Sequence, residues 1–274
     1  MTRDAATEVI SVEERDGAIV RDVRIAADDA PIEAYLVEPT PAGGASSGVA
    51  LPAGLGGPGL LFAHWYDPQA PNGNRTEYLD EAIAWARERG ATAILPQLRF
   101  PWAADPEGSS ADAARIREEV TRLRRCLDAL LADPEVGTRR IGVVGHDFGA
   151  MHAILLATED RRPKAYVAVA AVPRWGDWFL PFWTIDEDRL EYLRALRPLD
   201  PIEHVGRAAP AKLLFQFGLR DWYIAPMAAF EFRRAAGESA EVKSYEAEHD
   251  MTSSDALADR TAFLETALAP ASIG

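Results

Sequence analysis

An aspartate, Asp147, stands at the centre of Gly145-His146-Asp147-Phe148-Gly149. The preceding run Arg140-Ile141-Gly142-Val143-Val144-Gly145 predicts a buried strand, and Ala150-Met151-His152-Ala153-Ile154-Leu155-Leu156 predicts the helix behind it. Glycines two residues to either side suit a turn too tight for side chains, which would leave the central acid strained and projecting. A carboxylate so placed is a candidate nucleophile or base. An ordinary carboxyl group, with a pKa near 4, is already charged at neutral pH and needs no partner to activate it.

That chemistry separates substrates. If a carboxylate attacked an ordinary ester, the intermediate would have to expel an alkoxide (conjugate acid pKa about 16) rather than the carboxylate (about 4), so return to substrate is preferred by roughly 16 kcal/mol. Attack on a saturated carbon, displacing a halide or opening an epoxide, gives instead an alkyl ester that does not readily revert. The alternative role for Asp147 is structural, as the cap of the following helix.

Two further acid–base residues follow predicted strands. Lys212-Leu213-Leu214-Phe215-Gln216-Phe217 leads to Gly218-Leu219-Arg220-Asp221, and Glu241-Val242-Lys243-Ser244-Tyr245 leads to Ala247-Glu248-His249-Asp250. The order resembles that of the α/β-hydrolase superfamily, which places nucleophile, acid and histidine on successive loops at one edge of a mostly parallel sheet. The resemblance covers most of the chain. It implies an α/β fold with helices on both faces of the sheet, a catalytic Asp147, Asp221 and His249, and an oxyanion hole from the backbone N–H groups of Phe148 and of Trp65 or Tyr66. Asp177 occupies the alternative acid position, and His249 read blandly is a surface loop residue.

Two branches of the superfamily are similar in different ways. Gly-His-Asp-aromatic-Gly resembles epoxide hydrolases and dehalogenases, in which a histidine-activated water cleaves an aspartyl ester. The short insertion at 174–210 resembles the nearly capless dienelactone-hydrolase branch. Tyr192 is the insertion's only candidate for the acid tyrosines of epoxide hydrolases, with Tyr66 and Tyr223 near other site loops, and Phe148 stands where dehalogenases often place a tryptophan. Three functions follow: hydrolysis of an epoxide or carbon–halogen bond through Asp147; an esterase or lactonase with Asp147 as a base; or a non-catalytic member that binds a small molecule.

The elements that must position these groups are legible in outline. Val20 to Ile25 and Ile32 to Val37 alternate around Asp28-Asp29-Ala30-Pro31, which predicts a hairpin. Pro39 to Pro58 reads as an exposed loop, Gly59 to Ala63 as a strand, Glu77 to Arg89 as a helix and Thr92 to Leu95 as a strand. Ala111 to Ala132 predicts a long helix capped by Ser109 or Ser110, with an apolar stripe through Ile116, Val120, Leu123, Leu127, Leu130 and Leu131. A strand is expected from Lys164 to Val172. The insertion holds Trp175, Trp178, Phe179, Phe182 and Trp183. These make either a lid over the site or a local core or dimer contact. His64, Tyr66, His146, Trp175, Trp178, Trp183 and Trp222 are the candidate pocket residues, and a tryptophan-lined pocket implies a small apolar substrate.

Composition bounds the rest. A chain of 274 residues, 48% apolar and 26% charged, is expected to form one domain. Its net charge of −14 disfavours nucleic acid and anionic membranes as partners. No apolar run approaches the roughly 20 residues of a membrane span, so a cytoplasmic location is expected. The single cysteine, Cys126, falls on the apolar stripe and reads as a buried thiol. No metal-ligand spacing or phosphate-binding glycine loop is evident, and no cofactor beyond water is expected. A homodimer is possible.

Overall fold

The structure, a computed structural model, describes residues 7–40, 56–65, 67, 69–99 and 106–270. Its strands are β1 Thr7–Arg15, β2 Ala18–Ile25, β3 Ile32–Pro39, β4 Gly57–Ala63, β5 Thr92–Pro96, β6 Val136–His146, β7 Ala165–Val169, β8 Lys212–Gly218 and β9 Ala240–Tyr245. They form one sheet in the order β1-β2-β3-β5-β4-β6-β7-β8-β9. Strands β4 to β9 run parallel, and β1, β2 and β3 form an antiparallel flank joined to β5. The hairpin expected around Asp28 is β2 and β3. Strand β1 is not anticipated by the sequence pattern, because every one of its residues is exposed and no core face imposes an alternation.

Helices α1 Leu79–Arg89, α2 Ser109–Leu131, α3 Phe148–Glu159, α4 Trp175–Phe179, α5 Arg189–Leu196, α6 Pro201–His204, α7 Met227–Ala236 and α8 Ser254–Ala267 connect the strands. Two glycines show that helices cover both faces of the sheet. A Cβ at Gly59 would meet Leu130 of α2, whereas one at Gly142 would meet Leu264 of α8. Gly59 pairs with Ile141, so Gly142 on the neighbouring pleat points to the opposite face. Parallel strands so covered must be apolar on both sides, and β5 and β7 are buried throughout. Among the described residues, no helix is long and apolar enough to cross a membrane.

The stripe of α2 is buried at Ile116, Val120, Leu123, Leu127 and Leu130 as its spacing predicts, with Cys126 among them. Burial pushes the Cys126 thiol up, out of the reactive range. The start of α2 differs from expectation. Neither serine caps it: Gly108 holds the cap position, and Glu187 from the insertion accepts the Ser109 backbone N–H at 2.9 Å and its hydroxyl at 2.7 Å.

The insertion folds into α4, α5, α6 and single turns. Part of it is a local core. Trp175 is buried with its indole N–H on the Leu199 carbonyl at 2.8 Å, and Tyr192 is buried with its hydroxyl on Asp112 at 2.8 Å. Trp178, Phe182 and Trp183 belong to the cavity described next.

Candidate active site

Strand β6 ends at His146 and α3 begins at Phe148, leaving Asp147 alone in the turn with φ 49° and ψ −111°. Such a backbone costs a residue with a Cβ about 1–3 kcal/mol and persists only when its surroundings fix it. They do so here: the Asp147 N–H donates to the Val169 carbonyl at 2.9 Å, and its carbonyl accepts the Met151 N–H at 2.9 Å. The flanking glycines serve close approach. A Cβ at Gly145 would lie 2.5 Å from the Gly149 oxygen, and one at Gly149 would lie 2.1 Å from the Ala63 oxygen.

The turn presents a buried carboxylate. Asp147 is 1% exposed; its Oδ1 accepts the Trp178 indole N–H at 2.6 Å, and its Oδ2 has no hydrogen-bond partner but faces His249 Nε2 at 3.7 Å. His249 Nδ1 lies 2.9 Å from Asp221 Oδ2. Asp221 Oδ1 in turn accepts the N–H groups of Tyr223 and Ile224 at 2.8 and 3.2 Å, which fixes the loop after β8. Asp177 takes no part: it is half exposed and paired with Arg174 at 3.2 Å.

This clamp sets the charge of the imidazole. Burial works to lower the His249 pKa, but the carboxylates of Asp147 and Asp221 outweigh it and push it up to about 10. Burial likewise works to raise Asp221, and the His249 contact and backbone N–H groups leave it below the usual carboxylate value. At neutral pH the ring is therefore an imidazolium between two acids.

Behind it lies a support that the sequence did not announce. Glu77 Oε1 lies 2.6 Å from His146 Nδ1, and His146 Nε2 lies 2.7 Å from the His249 carbonyl. Glu77 Oε2 accepts the Trp65 N–H at 2.8 Å. One carboxylate thus ties together the loop after β4, the turn at Asp147 and the loop carrying His249. It also corrects the expected oxyanion hole, because the Trp65 N–H is committed to Glu77. Phe148 is the first residue of α3 and lies at the positive end of that helix. Tyr66, the other candidate donor and a candidate pocket residue, lies outside the described residues.

A cavity of about 340 Å³ opens above Asp147 and His249, lined further by Trp65, Asp67, Trp178, Phe182, Trp183 and Tyr223. Four candidate pocket residues stand elsewhere. Trp222 is 93% exposed, its place taken by Tyr223 at the next position of the turn. Trp175 is sealed in the insertion's core. His64 is buried, with Nδ1 on the Trp65 carbonyl at 2.9 Å and Nε2 accepting the Leu98 N–H at 3.0 Å; desolvation lowers its pKa, so it is a neutral structural tie. His146 lines a neighbouring cavity of about 770 Å³ between α1 and the start of α8, with Trp65 forming a wall of both. Among the described residues, no group of three or more His, Cys, Asp or Glu side chains is arranged to hold a metal ion.

Comparison with solved structures places the architecture. An acetyl xylan esterase from Paenibacillus sp. R4 superimposes with a TM-score of 0.75 over 97% of this chain and 90% of its own, at 20% identity. A protein described as a dienelactone hydrolase from Klebsiella pneumoniae gives 0.63 over 93% and 100%, at 16% identity. The α/β-hydrolase GrgF from Penicillium sp. sh18 gives 0.62 over 91% and 99%, at 16% identity. The chain has the α/β-hydrolase fold. Strand β6, the turn at Asp147 and α3 make a sharp strand-to-helix turn with an acid at its apex. No family model and no curated protein matches the sequence.

Proposed function

We propose that the protein hydrolyses a small ester or lactone, with Asp147 drawing a proton from water and His249 delivering one to the leaving oxygen. The observation that carries this reading is the placement of the His249 ring between the Asp221 and Asp147 carboxylates, at 2.9 and 3.7 Å, at the floor of a cavity, an arrangement that favours the imidazolium. A positively charged ring is a general acid, so water must be activated by another group, and the adjacent carboxylate is that group. The esterases and the dienelactone hydrolase among the structural neighbours support a carbonyl substrate.

The steps balance. Asp147 Oδ2 takes a proton as the water oxygen bonds to the carbonyl carbon, and the resulting oxyanion meets the Phe148 N–H at the end of α3. The intermediate collapses by breaking the bond to the alkoxy oxygen, which takes the proton from His249 Nε2. The Asp147 carboxyl then returns its proton to His249 across their contact. No acyl–aspartyl anhydride forms, so the alkoxide never has to compete with a carboxylate as leaving group, a competition it would lose by about 16 kcal/mol.

A second reading rests on the strained backbone of Asp147 and its oxygen without a hydrogen-bond partner, both suited to direct attack on an epoxide or halogen-bearing carbon. Tyr192, bonded to Asp112, does not supply the acid that epoxide opening needs; Tyr223 or His249 would have to. A single turnover in H₂¹⁸O with enzyme in excess distinguishes the two. Direct hydrolysis puts the label in the carboxylic acid product and none in Asp147. An alkyl-enzyme route leaves the label in Asp147 and gives an unlabelled product alcohol, and His249→Gln then accumulates an adduct at Asp147 visible by intact mass. Label in Asp147 refutes the general-base proposal.

A further inference from the structure

A chain of touching aromatic rings lines the catalytic cavity. Trp183 stacks on Trp178 at 4.6 Å between ring centres, Trp178 meets Phe182 at 5.6 Å, and Phe182 meets Tyr223 at 5.7 Å. Tyr223 then meets the His249 ring at 4.9 Å, and His249 meets Trp65 at 5.1 Å. Three of these rings come from the insertion and one each from the loops after β8, β9 and β4.

The charges in the same cavity are unbalanced. Asp67 and Asp147 line it, and the only cation among the described lining residues is the His249 imidazolium, with the Asp221 carboxylate directly behind. No lysine or arginine is among the described lining residues. An anionic substrate would meet the carboxylates of Asp67, Asp147 and Asp221 against a single imidazolium. A neutral one would use the rings but gain nothing from Asp67. A primary ammonium would draw its hydrogen bonds from the Asp67 and Asp147 carboxylates and make little use of the rings. A quaternary ammonium carries charge on a bulky, weakly hydrated group, and aromatic rings attract such a cation when it lies over their faces within about 6 Å. The cavity volume of about 340 Å³ is at the small end of ligand sites, which commonly run to about 300–1,000 Å³. The net charge of −14 draws cations toward the molecule as a whole.

We infer that the cavity recognises a quaternary ammonium group, seated among Trp65, Trp178, Phe182, Trp183 and Tyr223 with Asp67 as counter-charge. Resting on the hydrolase reading above, this makes the substrate a small ester or lactone that bears a trimethylammonium or similar cation. The sequence alone suggested an apolar substrate from a tryptophan-lined pocket; of those tryptophans Trp178 and Trp183 line the cavity, and the carboxylates brought among them change the preference.

The test separates charge from shape. Choline and 3,3-dimethylbutanol have the same outline, and only the first is charged. Binding of each is measured by titration calorimetry at low ionic strength, with no turnover involved. Choline is expected to bind at least about tenfold more tightly, and Trp183→Leu should weaken choline binding by about tenfold. Asp67→Asn, which keeps the shape of the side chain and so should fold, should reduce the preference for choline and leave the alcohol unaffected. Equal binding of the two, or tighter binding of the uncharged one, overturns the inference and leaves the hydrolase reading intact. Choline binding that depends on Asp67, without hydrolysis of its acetyl or butyryl ester, upholds the inference and counts against the hydrolase reading.

Discussion

Asp147→Asn keeps the size of the side chain and removes one of the two charges that hold the His249 proton. At an effective dielectric of about 20, a unit charge at 2.9 Å (Asp221) attracts the imidazolium by about 6 kcal/mol, and one at 3.7 Å (Asp147) by about 4.5 kcal/mol. Together they are worth about 7–8 pKa units, and burial of a cationic ring withdraws about 3–5. The balance, three to four units upward, accords with a histidine moved from 6.5 to about 10. Asparagine at position 147 should therefore lower the titration of His249 by about three units, to near 7, and Asp221→Asn should lower it to about 6.

The assay is an NMR titration of the histidine Cε1–H resonances from pH 5 to 11. There are five histidines, and His249→Gln identifies the relevant signal by its loss. A shift of less than one unit in Asp147→Asn would refute the account of the clamp. Stability follows the same sign. A pKa raised on folding contributes stability that is fully present below 6.5 and lost as pH rises through about 10. Unfolding free energy should thus fall between pH 7 and 10 in the wild type, and much less in the variant. The lowered pKa of Asp221 contributes stability present above 3.8 and lost on acidification.

Hydrolysis should hold up to about pH 9 and decline above pH 10 as the general acid loses its proton, read from the pH profile of kcat; a profile rising through pH 10 contradicts that role. Trp178→Phe removes the donor to Asp147 Oδ1 and should cost about 1.5–3 kcal/mol of stability in urea unfolding, with no effect arguing that the indole bond contributes nothing. Gly149→Ala should destabilise by about 1–3 kcal/mol, seen as a lowered Tm, because the added Cβ would lie 2.1 Å from a backbone oxygen. Glu77→Gln leaves only one oxygen for two donors and should lower kcat by about 10–100-fold while circular dichroism stays native.

Local signals and chain order carried the elbow and the partners of Asp147. The strand, turn and helix around it are contiguous, so their apolar runs and glycines read directly. Asp221 and His249 are legible because each follows an apolar strand, although their 2.9 Å contact spans 28 positions. The pocket was legible only in kind. Asp221 Oδ1 gathers the N–H groups of both Tyr223 and Ile224, and the resulting turn leaves Trp222 in solvent, a choice between neighbouring aromatics that no periodicity encodes. Glu77 reads as an ordinary acid near a helix start, and its role arises from contact with His146 across 69 positions. Strand β1 escapes because it pairs through its backbone and buries nothing.

Trp178 belongs to two assemblies at once: its ring stacks in the cavity wall, and its N–H holds the carboxylate at the elbow. The wall above and the acid below are thereby joined through one side chain, so whatever fixes the indole also fixes the carboxylate.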